Sequence, residues 1–417
     1  MFRRYRYTGA IVILIVVVAI IFSQCVDKQP EETTQISGDF RGPAYAGAAS
    51  CQKCHSAIHS SYLAAAHTIS SANASVSSIK GSFDPAKNTY RYRDNVEVRM
   101  EKRDSGLFQV AYMNNQQRGA FPFGTVIGSG RKAQTYLYWY GDNVFQLPVS
   151  YSVFAGNWVN SPNYPADKVR FDRLINVGCF ECHSSYIKLR GTQEEGERMV
   201  DYFDKSMVIN GIDCERCHGP AKQHVDFHEK NPQEKISKFI TTYASLPRQA
   251  RLDLCAQCHS GAHPIMKTIF DFKPGDSLSN YFRRTANDSL GATELDVHGN
   301  QYQLLAASAC FKKSEILDCA SCHNSHKSER NDMQVFSDRC ITCHTTVKHS
   351  FTANSPVLEK EIGKNCIDCH MPAAPSKVIG MKSEDQAEAS PNLVRTHFIS
   401  IYREQAMRYI DSLKKKN

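Results

Sequence analysis

Seven copies of the pattern Cys-x-x-Cys-His occur in the chain, and these residues imply chemistry more directly than any others. At this spacing two thiols bond to the vinyl groups of a haem, and the adjacent His binds its iron. The spacing suits one helical turn, since positions i, i+3 and i+4 lie on one helix face. The predicted attachment thiols are Cys51, Cys54, Cys179, Cys182, Cys214, Cys217, Cys255, Cys258, Cys319, Cys322, Cys340, Cys343, Cys366 and Cys369. The predicted iron ligands beside them are His55, His183, His218, His259, His323, His344 and His370.

Chance does not explain the pattern. The chain has 16 Cys and 16 His in 417 residues, and a random sequence of that composition would contain about 0.02 copies. A structural zinc site would need pairs of Cys or His that sum to four ligands, and a redox pair of thiols does not need the following His. We therefore predict seven covalently bound haem c groups, numbered here in the order of their motifs. No Cys-x-x-Cys-Lys is present, so the chain does not resemble the nitrite reductases that bind their catalytic haem through that variant.

The rest of the composition limits the disulfide content and the kinds of partner that the protein can have. Only Cys25 and Cys310 lie outside the motifs, which excludes a framework of disulfides. Cys310 is expected to be a small buried side chain. The formal charge of +8 would suggest nucleic acid, but about fourteen haem propionates would outweigh it, so no nucleic-acid partner is expected.

The N-terminus predicts export. An uncharged run at 9–22 follows three arginines and is short for a spanning helix. Residues 1–24 are therefore a predicted signal peptide or membrane anchor, and 25–45 a flexible tether. Three alternatives stay open: a lipoprotein with its lipid on Cys25, an uncleaved anchor, and a soluble secreted form. All three place the haems outside the cytoplasm, in the periplasm or at the cell surface, because covalent haem attachment happens there.

The segments that must position the motifs differ in pattern. Short runs rich in Tyr, Val and Phe at 89–93, 97–102 and 107–113 predict strands, and a helix is expected to begin near Pro391. The expected fold class is a mainly α multihaem cytochrome with little regular secondary structure around stacked haems, plus a small β-rich segment between the first and second haems. The expected segments are a first haem segment at 46–82, the β-rich segment at 83–175, a six-haem domain at 176–385, and a C-terminal segment with a distal His and a helix at 386–417.

Nine further His could bind the second face of an iron. Two neutral imidazoles on opposite faces suit electron transfer, because an iron with all six positions filled reorganises little. His326 lies three residues after His323, and so close a neighbour on one turn cannot reach the far face of the same haem. If His326 is a ligand, it therefore serves a different haem. The nine candidates are His59, His67, His224, His228, His263, His298, His326, His349 and His397.

Four stretches carry a resemblance to a known family. They are Gly47-x-x-x-Cys51 to His55 with His67 downstream, Gly211-Ile212 to His224, His298-Gly299-Asn300-Gln301 with Cys319 to His326, and Cys366 to Pro372 with Arg395-Thr396-His397. Over most of residues 46–400 the chain resembles multihaem cytochromes of the cytochrome c-554 type, which are related in haem packing to hydroxylamine oxidoreductase. The resemblance implies distal ligands at His67, His224, His298, His326, His349 and His397. It supports His59, His228 and His263 less, so one haem is left without an assigned second ligand.

Two functions agree with these observations. The first is an exported, membrane-tethered heptahaem cytochrome that carries electrons along mostly bis-His haems, with redox proteins or quinone-linked membrane complexes as partners. The alternative is a multihaem oxidoreductase that acts on a small nitrogen or sulfur compound at one five-coordinate haem. No catalytic residue can be named from the sequence. Electron paramagnetic resonance separates the two, since only the second requires a high-spin iron.

Overall fold

A computed structural model describes residues 38–261, 263, 265–283, 290–349, 356–384, 386 and 388–414, with the backbone alone at 356–358 and 414. The chain divides into two units, Met1–Asp39 and Phe40–Asn417. Only Gly38 and Asp39 of the first unit are described, so the expected signal or anchor and Cys25 lie outside the described residues. Within the described residues, no helix has both the length and the apolar character needed to cross a membrane.

Strands form four antiparallel sheets. A four-stranded meander has the order β2-β3-β4-β5. A seven-stranded sheet runs β1-β6-β7-β8-β11, with β9 paired to both β7 and β10. Two further hairpins are β12-β13 and β14-β15. The strands are β1 Ser71–Asn73, β2 Thr89–Arg93, β3 Val96–Arg103, β4 Gly106–Met113, β5 Gln116–Pro122, β6 Thr125–Ile127, β7 Ala133–Tyr140, β8 Asn143–Gln146, β9 Val149–Ser152, β10 Asn157–Asn160, β11 Arg173–Leu174, β12 Ser184–Glu195, β13 Arg198–Asn210, β14 Ala373–Met381 and β15 Ser390–Arg395.

Side chains from the meander and the seven-stranded sheet share one core. Val96, Val98 and Met100 of β3 are buried in alternation, as expected for a strand with one face inward. Trp158 lies at the centre with 1% of its surface exposed, and Phe83, Phe123 and Tyr151 contact its ring. Gly81 is required beside it, because a Cβ at this position would collide with the indole.

The helices are short, and several consist largely of a haem motif. The second, third, fourth and seventh motifs lie wholly inside helices, in agreement with the one-turn expectation. The helices are α1 Ala48–Cys51, α2 Ser56–Tyr62, α3 Val177–His183, α4 Cys214–His218, α5 Lys222–Lys230, α6 Arg248–His259, α7 Gln301–Ala307, α8 Ala309–Lys313, α9 Met333–Ile341, α10 Pro356–Gly363, α11 Cys366–His370 and α12 Arg403–Lys414. Short 3-10 turns lie at Tyr243–Ser245, Ile269–Asp271, Leu278–Asn280 and Cys319–Ser321.

The expected fold class is wrong. Helices make up 27% and strands 28% of the chain, so the protein is not mainly α. The expected strands at 89–113 are present, but strands also continue to Asn210, where a haem-packed region was expected. The reason is a side-chain core: Ile187 of β12 and Phe203 of β13 pack with Phe180 of the second motif. The helix expected near Pro391 begins only at Arg403, since Pro391 belongs to β15.

Candidate haem-binding sites

A haem held by two His imposes a measurable spacing on their rings. With imidazole–iron bonds of about 2 Å and about 1.1 Å from ring centre to nitrogen, the two ring centres lie about 6.2 Å apart. Rings that only pack against each other can approach more closely. A pair of imidazoles near this separation, one of them in a Cys-x-x-Cys-His motif, therefore marks a space that fits an iron.

Four pairs of His show this spacing. Each joins one motif His to one of the nine other His, so each fits a haem with both faces ligated. The ring centres lie 6.4 Å apart for His55 and His224, 6.2 Å for His67 and His259, 6.0 Å for His218 and His326, and 6.1 Å for His323 and His397. The angles between the ring planes are 15°, 76°, 16° and 30° in the same order.

Two further pairs are close enough to interact electrostatically. Burial lowers the pKa of His183, and the nearby charge of His298 lowers it further. Burial likewise lowers the pKa of His349, with an additional contribution from His370. These interactions place one candidate ligand near the second motif and one near the seventh.

His344, in the sixth motif, is left without a second His. Its side chain is exposed, as are those of His55 and His323, but within the described part of the chain its ring makes no contact with another His. The three remaining candidates have other neighbours. The ring centre of His228 lies 4.6 Å from that of His224. The ring of His263 stacks on that of Phe282, with 5.5 Å between the ring centres. His59 lies on α2, where its Nδ1 is buried and has no partner among the described residues.

Local contacts prepare the ring nitrogens to bind metal. The carbonyl oxygens of Lys238 and Ser400 lie 2.8 and 2.9 Å from Nδ1 of His224 and His370. A proton on Nδ1 that is donated to a carbonyl leaves the lone pair on Nε2 for the iron. Burial lowers the pKa of His259 to about 4, so its imidazole is neutral at pH 7.

The distal His come from segments distant in sequence, and specific contacts hold them there. The backbone N–H of Ile212 donates to the carbonyl of His67 at 2.9 Å. Gly211 permits this approach, because it has φ +68° and a Cβ there would collide with the Thr68 carbonyl. The Ser61 hydroxyl on α2 donates to the carbonyl of His326 at 2.9 Å. The first haem segment therefore holds residues that flank the third and fifth motifs.

Thiols of different motifs also meet. In four places, thiols of two motifs lie close enough to interact, so haems attached there would approach each other at these edges. The pairs are Cys51 with Cys214, Cys182 with Cys258, Cys255 with Cys319, and Cys340 with Cys366. Outside the motifs, Cys310 is half-buried and burial raises the pKa of its thiol, which favours the unreactive protonated form.

Sequence reasoning missed a buried carboxylate that joins the first and third motifs. Glu215 is 3% exposed, and its carboxylate accepts the backbone N–H groups of Ala46, Gly47 and Ala221 at 2.8–2.9 Å. Arg41 adds an ion pair at 3.2 Å. The only signal in the sequence was an acidic residue between two motif thiols, which does not by itself predict burial.

Comparison with known proteins agrees with this assignment. The family model for cytochrome c554 and c-prime matches residues 166–219. The motifs, the His pairs and this match define the chain as a multihaem c-type cytochrome. It is similar to Multiheme cytochrome MtrA of Shewanella baltica (strain OS185), with 22% identity over 241 residues. That match covers 54% of this chain and 65%, just under two thirds, of the relative's length.

A solved structure shares the fold. Outer Cell Wall Cytochrome OcwA aligns with a TM-score of 0.50 over 88% of this chain and 82% of its own, at 16% identity. At that identity the likeness concerns the arrangement of the chain alone.

Proposed function

We propose that the protein is an exported, membrane-tethered cytochrome that carries electrons along seven covalently bound haems. The observation that carries the proposal is the set of four His pairs at 6.0–6.4 Å. Residues placed in this way fill both faces of an iron and exclude substrate, which suits electron transfer better than catalysis. Haem c, when bound, supplies one-electron redox chemistry.

The protein's own residues give the electron route its connectivity. The thiol contacts link the first motif to the third, the second to the fourth, the fourth to the fifth, and the sixth to the seventh. The His pairs add links, because His67 joins the first segment to the fourth motif and His326 joins the fifth to the third. An iron with an imidazole on both faces would rearrange little between its two oxidation states.

Export and tethering are supported by the sequence of residues 1–25 and by the need to attach haem outside the cytoplasm. The structural relative is an outer cell wall cytochrome, which agrees with this proposal. Redox proteins or quinone-linked membrane complexes are the proposed partners. Replacing Cys25 with Ser and following the protein between membrane and soluble fractions tests the lipid anchor, which predicts release from the membrane.

Intact mass and electron paramagnetic resonance of the native, full-length protein test the proposal together. We expect seven attached haems and a spectrum dominated by low-spin iron that is reduced and reoxidised reversibly. Fewer than seven haems, or mainly high-spin iron, would contradict it.

A second candidate function rests on His344. Because the ring of His344 pairs with no other His in the described residues, the haem of the sixth motif could leave one position open to a small nitrogen or sulfur compound. The test is a high-spin signal of about one iron per chain that shifts when nitrite or hydroxylamine is added. A variant with Cys340→Ala and Cys343→Ala cannot attach this haem and should lose that signal. A fully low-spin spectrum would exclude the second function.

A further inference from the structure

Arg216 is a buried cation whose hydrogen-bonding capacity is only partly used. It lies between the two thiols of the third motif and is 5% exposed. Nη2 donates to the carbonyl of Glu181 at 3.2 Å, whereas Nε and Nη1 are buried and have no partner among the described residues. Leaving donors of a charged group unpaired away from water is costly. A partner therefore belongs at these two nitrogens.

The neighbouring carboxylate does not supply that partner. Glu181 is 1% exposed, and its Oε1 accepts from the Thr268 hydroxyl at 2.5 Å and from the Ile269 N–H at 3.1 Å. Its Oε2 is buried and has no partner among the described residues. The guanidinium carbon also lies 5.6 Å from the centre of the Phe270 ring, an apolar face.

Arg216 lies where three motifs meet. Its Nη2 donates to the carbonyl of Glu181, which stands between the two thiols of the second motif. The Cys258 thiol of the fourth motif lies 4.0 Å from the same carbonyl oxygen. The second, third and fourth motifs therefore meet around one cation.

We propose that Arg216 is the cation that sets the reduction potentials of the second, third and fourth haems, and that its Nε and Nη1 bind the carboxylate of a haem propionate. The inference rests on the proposed electron-transfer function. A guanidinium presents paired donors that match a carboxylate. A positive charge in a medium of low polarity favours the reduced iron, which carries one positive charge fewer, and so raises the potential.

Three variants of the full-length, haem-loaded protein test this assignment in a spectroelectrochemical titration. Arg216→Gln removes the charge, so three of the seven transitions should move to lower potential while the other four stay. Arg216→Lys keeps the charge and should retain most of the original potentials. Arg190→Gln is the control, because Arg190 is a half-exposed arginine paired with Asp142 and Asp204 on the β12-β13 side of the molecule, and it should shift none.

Two results would overturn the proposal. One is a titration of Arg216→Gln in which no transition moves. The other is a shift of all seven transitions together, which a change of net charge would produce. If Arg216→Gln attaches fewer than seven haems, Arg216→Met, which is uncharged and of similar length, is titrated instead.

The effect of misfolding can also be distinguished from the effect of losing the positive charge. If both neutral variants lose haem and Arg216→Lys attaches seven at unchanged potentials, the charge is required and the proposal stands. If the same three transitions also move to lower potential in Arg216→Lys, the shape of the side chain matters rather than its charge, and the proposal fails. Intact mass of the unmodified protein keeps the proposed function separate, because a failure of Arg216 alone leaves seven low-spin haems in place.

Discussion

Replacing His326 with Ala tests the exchange of ligands between motifs. His326 follows the fifth motif by three residues, yet its ring lies 6.0 Å from that of His218 in the third motif. His323 of the fifth motif is paired instead with His397 at 6.1 Å. The variant should therefore open the iron of the third haem and leave the fifth closed on both faces.

The structure sets both the size and the kind of change. One iron per chain should become high-spin, in addition to any that is high-spin in the unmodified protein. The signal that disappears should come from a pair of nearly parallel imidazoles, because the His218 and His326 planes differ by 16°. The shape of a low-spin ferric signal depends on this angle, so the contribution of His67 and His259, at 76°, should remain.

Spin counting by electron paramagnetic resonance at fixed haem content is the assay. The matched control is His67→Ala, which should remove the signal of the perpendicular pair instead. The double variant His326→Ala with His397→Ala is the sharper measurement. Under exchanged ligation the two substitutions open two different irons, so two additional high-spin irons are expected.

A different count would refute the reasoning. If His326 served its own fifth haem, it would occupy the position assigned to His397. His397→Ala would then open no further iron, and the double variant would show one additional high-spin iron. If His326 bound no iron, the single variant would leave the spectrum unchanged.

Three further predictions concern stability, each measured by urea unfolding of the haem-loaded protein. Glu329→Gln weakens two bonds of 2.6 Å to Arg339 and should cost about 1–3 kcal/mol at pH 7. Because Arg339 holds the pKa of Glu329 at about 2, below its ordinary 4.5, the contribution is complete above pH 4.5 and is lost as the pH falls towards 2, where variant and parent should converge. Gly81→Ala drives a methyl group into Trp158 and should cost about 1–3 kcal/mol. Glu215→Ala leaves three buried backbone donors without their acceptor and breaks one of the two ion pairs of Arg41, and should cost about 3–5 kcal/mol.

Matched controls separate these effects from general damage. Gly191→Ala should be nearly neutral, because a Cβ there meets nothing within 4 Å. Glu229→Ala breaks an exposed pair with Lys53 and should be nearly neutral. Equal losses for Glu215→Ala and Glu229→Ala would contradict the role given to the buried carboxylate. A Glu329 variant that stays equally weakened at pH 7 and near pH 2 would contradict the pKa argument.

Local patterns were readable from the sequence because they depend on neighbours along the chain. The motif spacing predicted short helical turns, and alternation predicted the strands at 89–113, which the structure shows with shifts of one residue at most. The β12-β13 hairpin was missed for the opposite reason. The six-haem domain at 176–385 was expected to have little regular secondary structure, whereas Ile187 and Phe203 form a side-chain core with Phe180. Composition does not tell which apolar residues face porphyrin and which face protein.

The pairing of distal His shows where sequence reasoning ends. Local geometry excluded His326 as a ligand to its own haem, since a rule about one helical turn needs no knowledge of the fold. It did not select the third haem as the alternative, because that choice depends on α2, whose Ser61 holds the His326 carbonyl from a segment far away in the sequence. The same holds for His67, which Gly211 brings to the fourth motif by allowing close backbone approach. Each of these His pairs with the His of a motif other than the one it follows in the sequence. Its loss should therefore first disturb the haem of the motif with which it pairs.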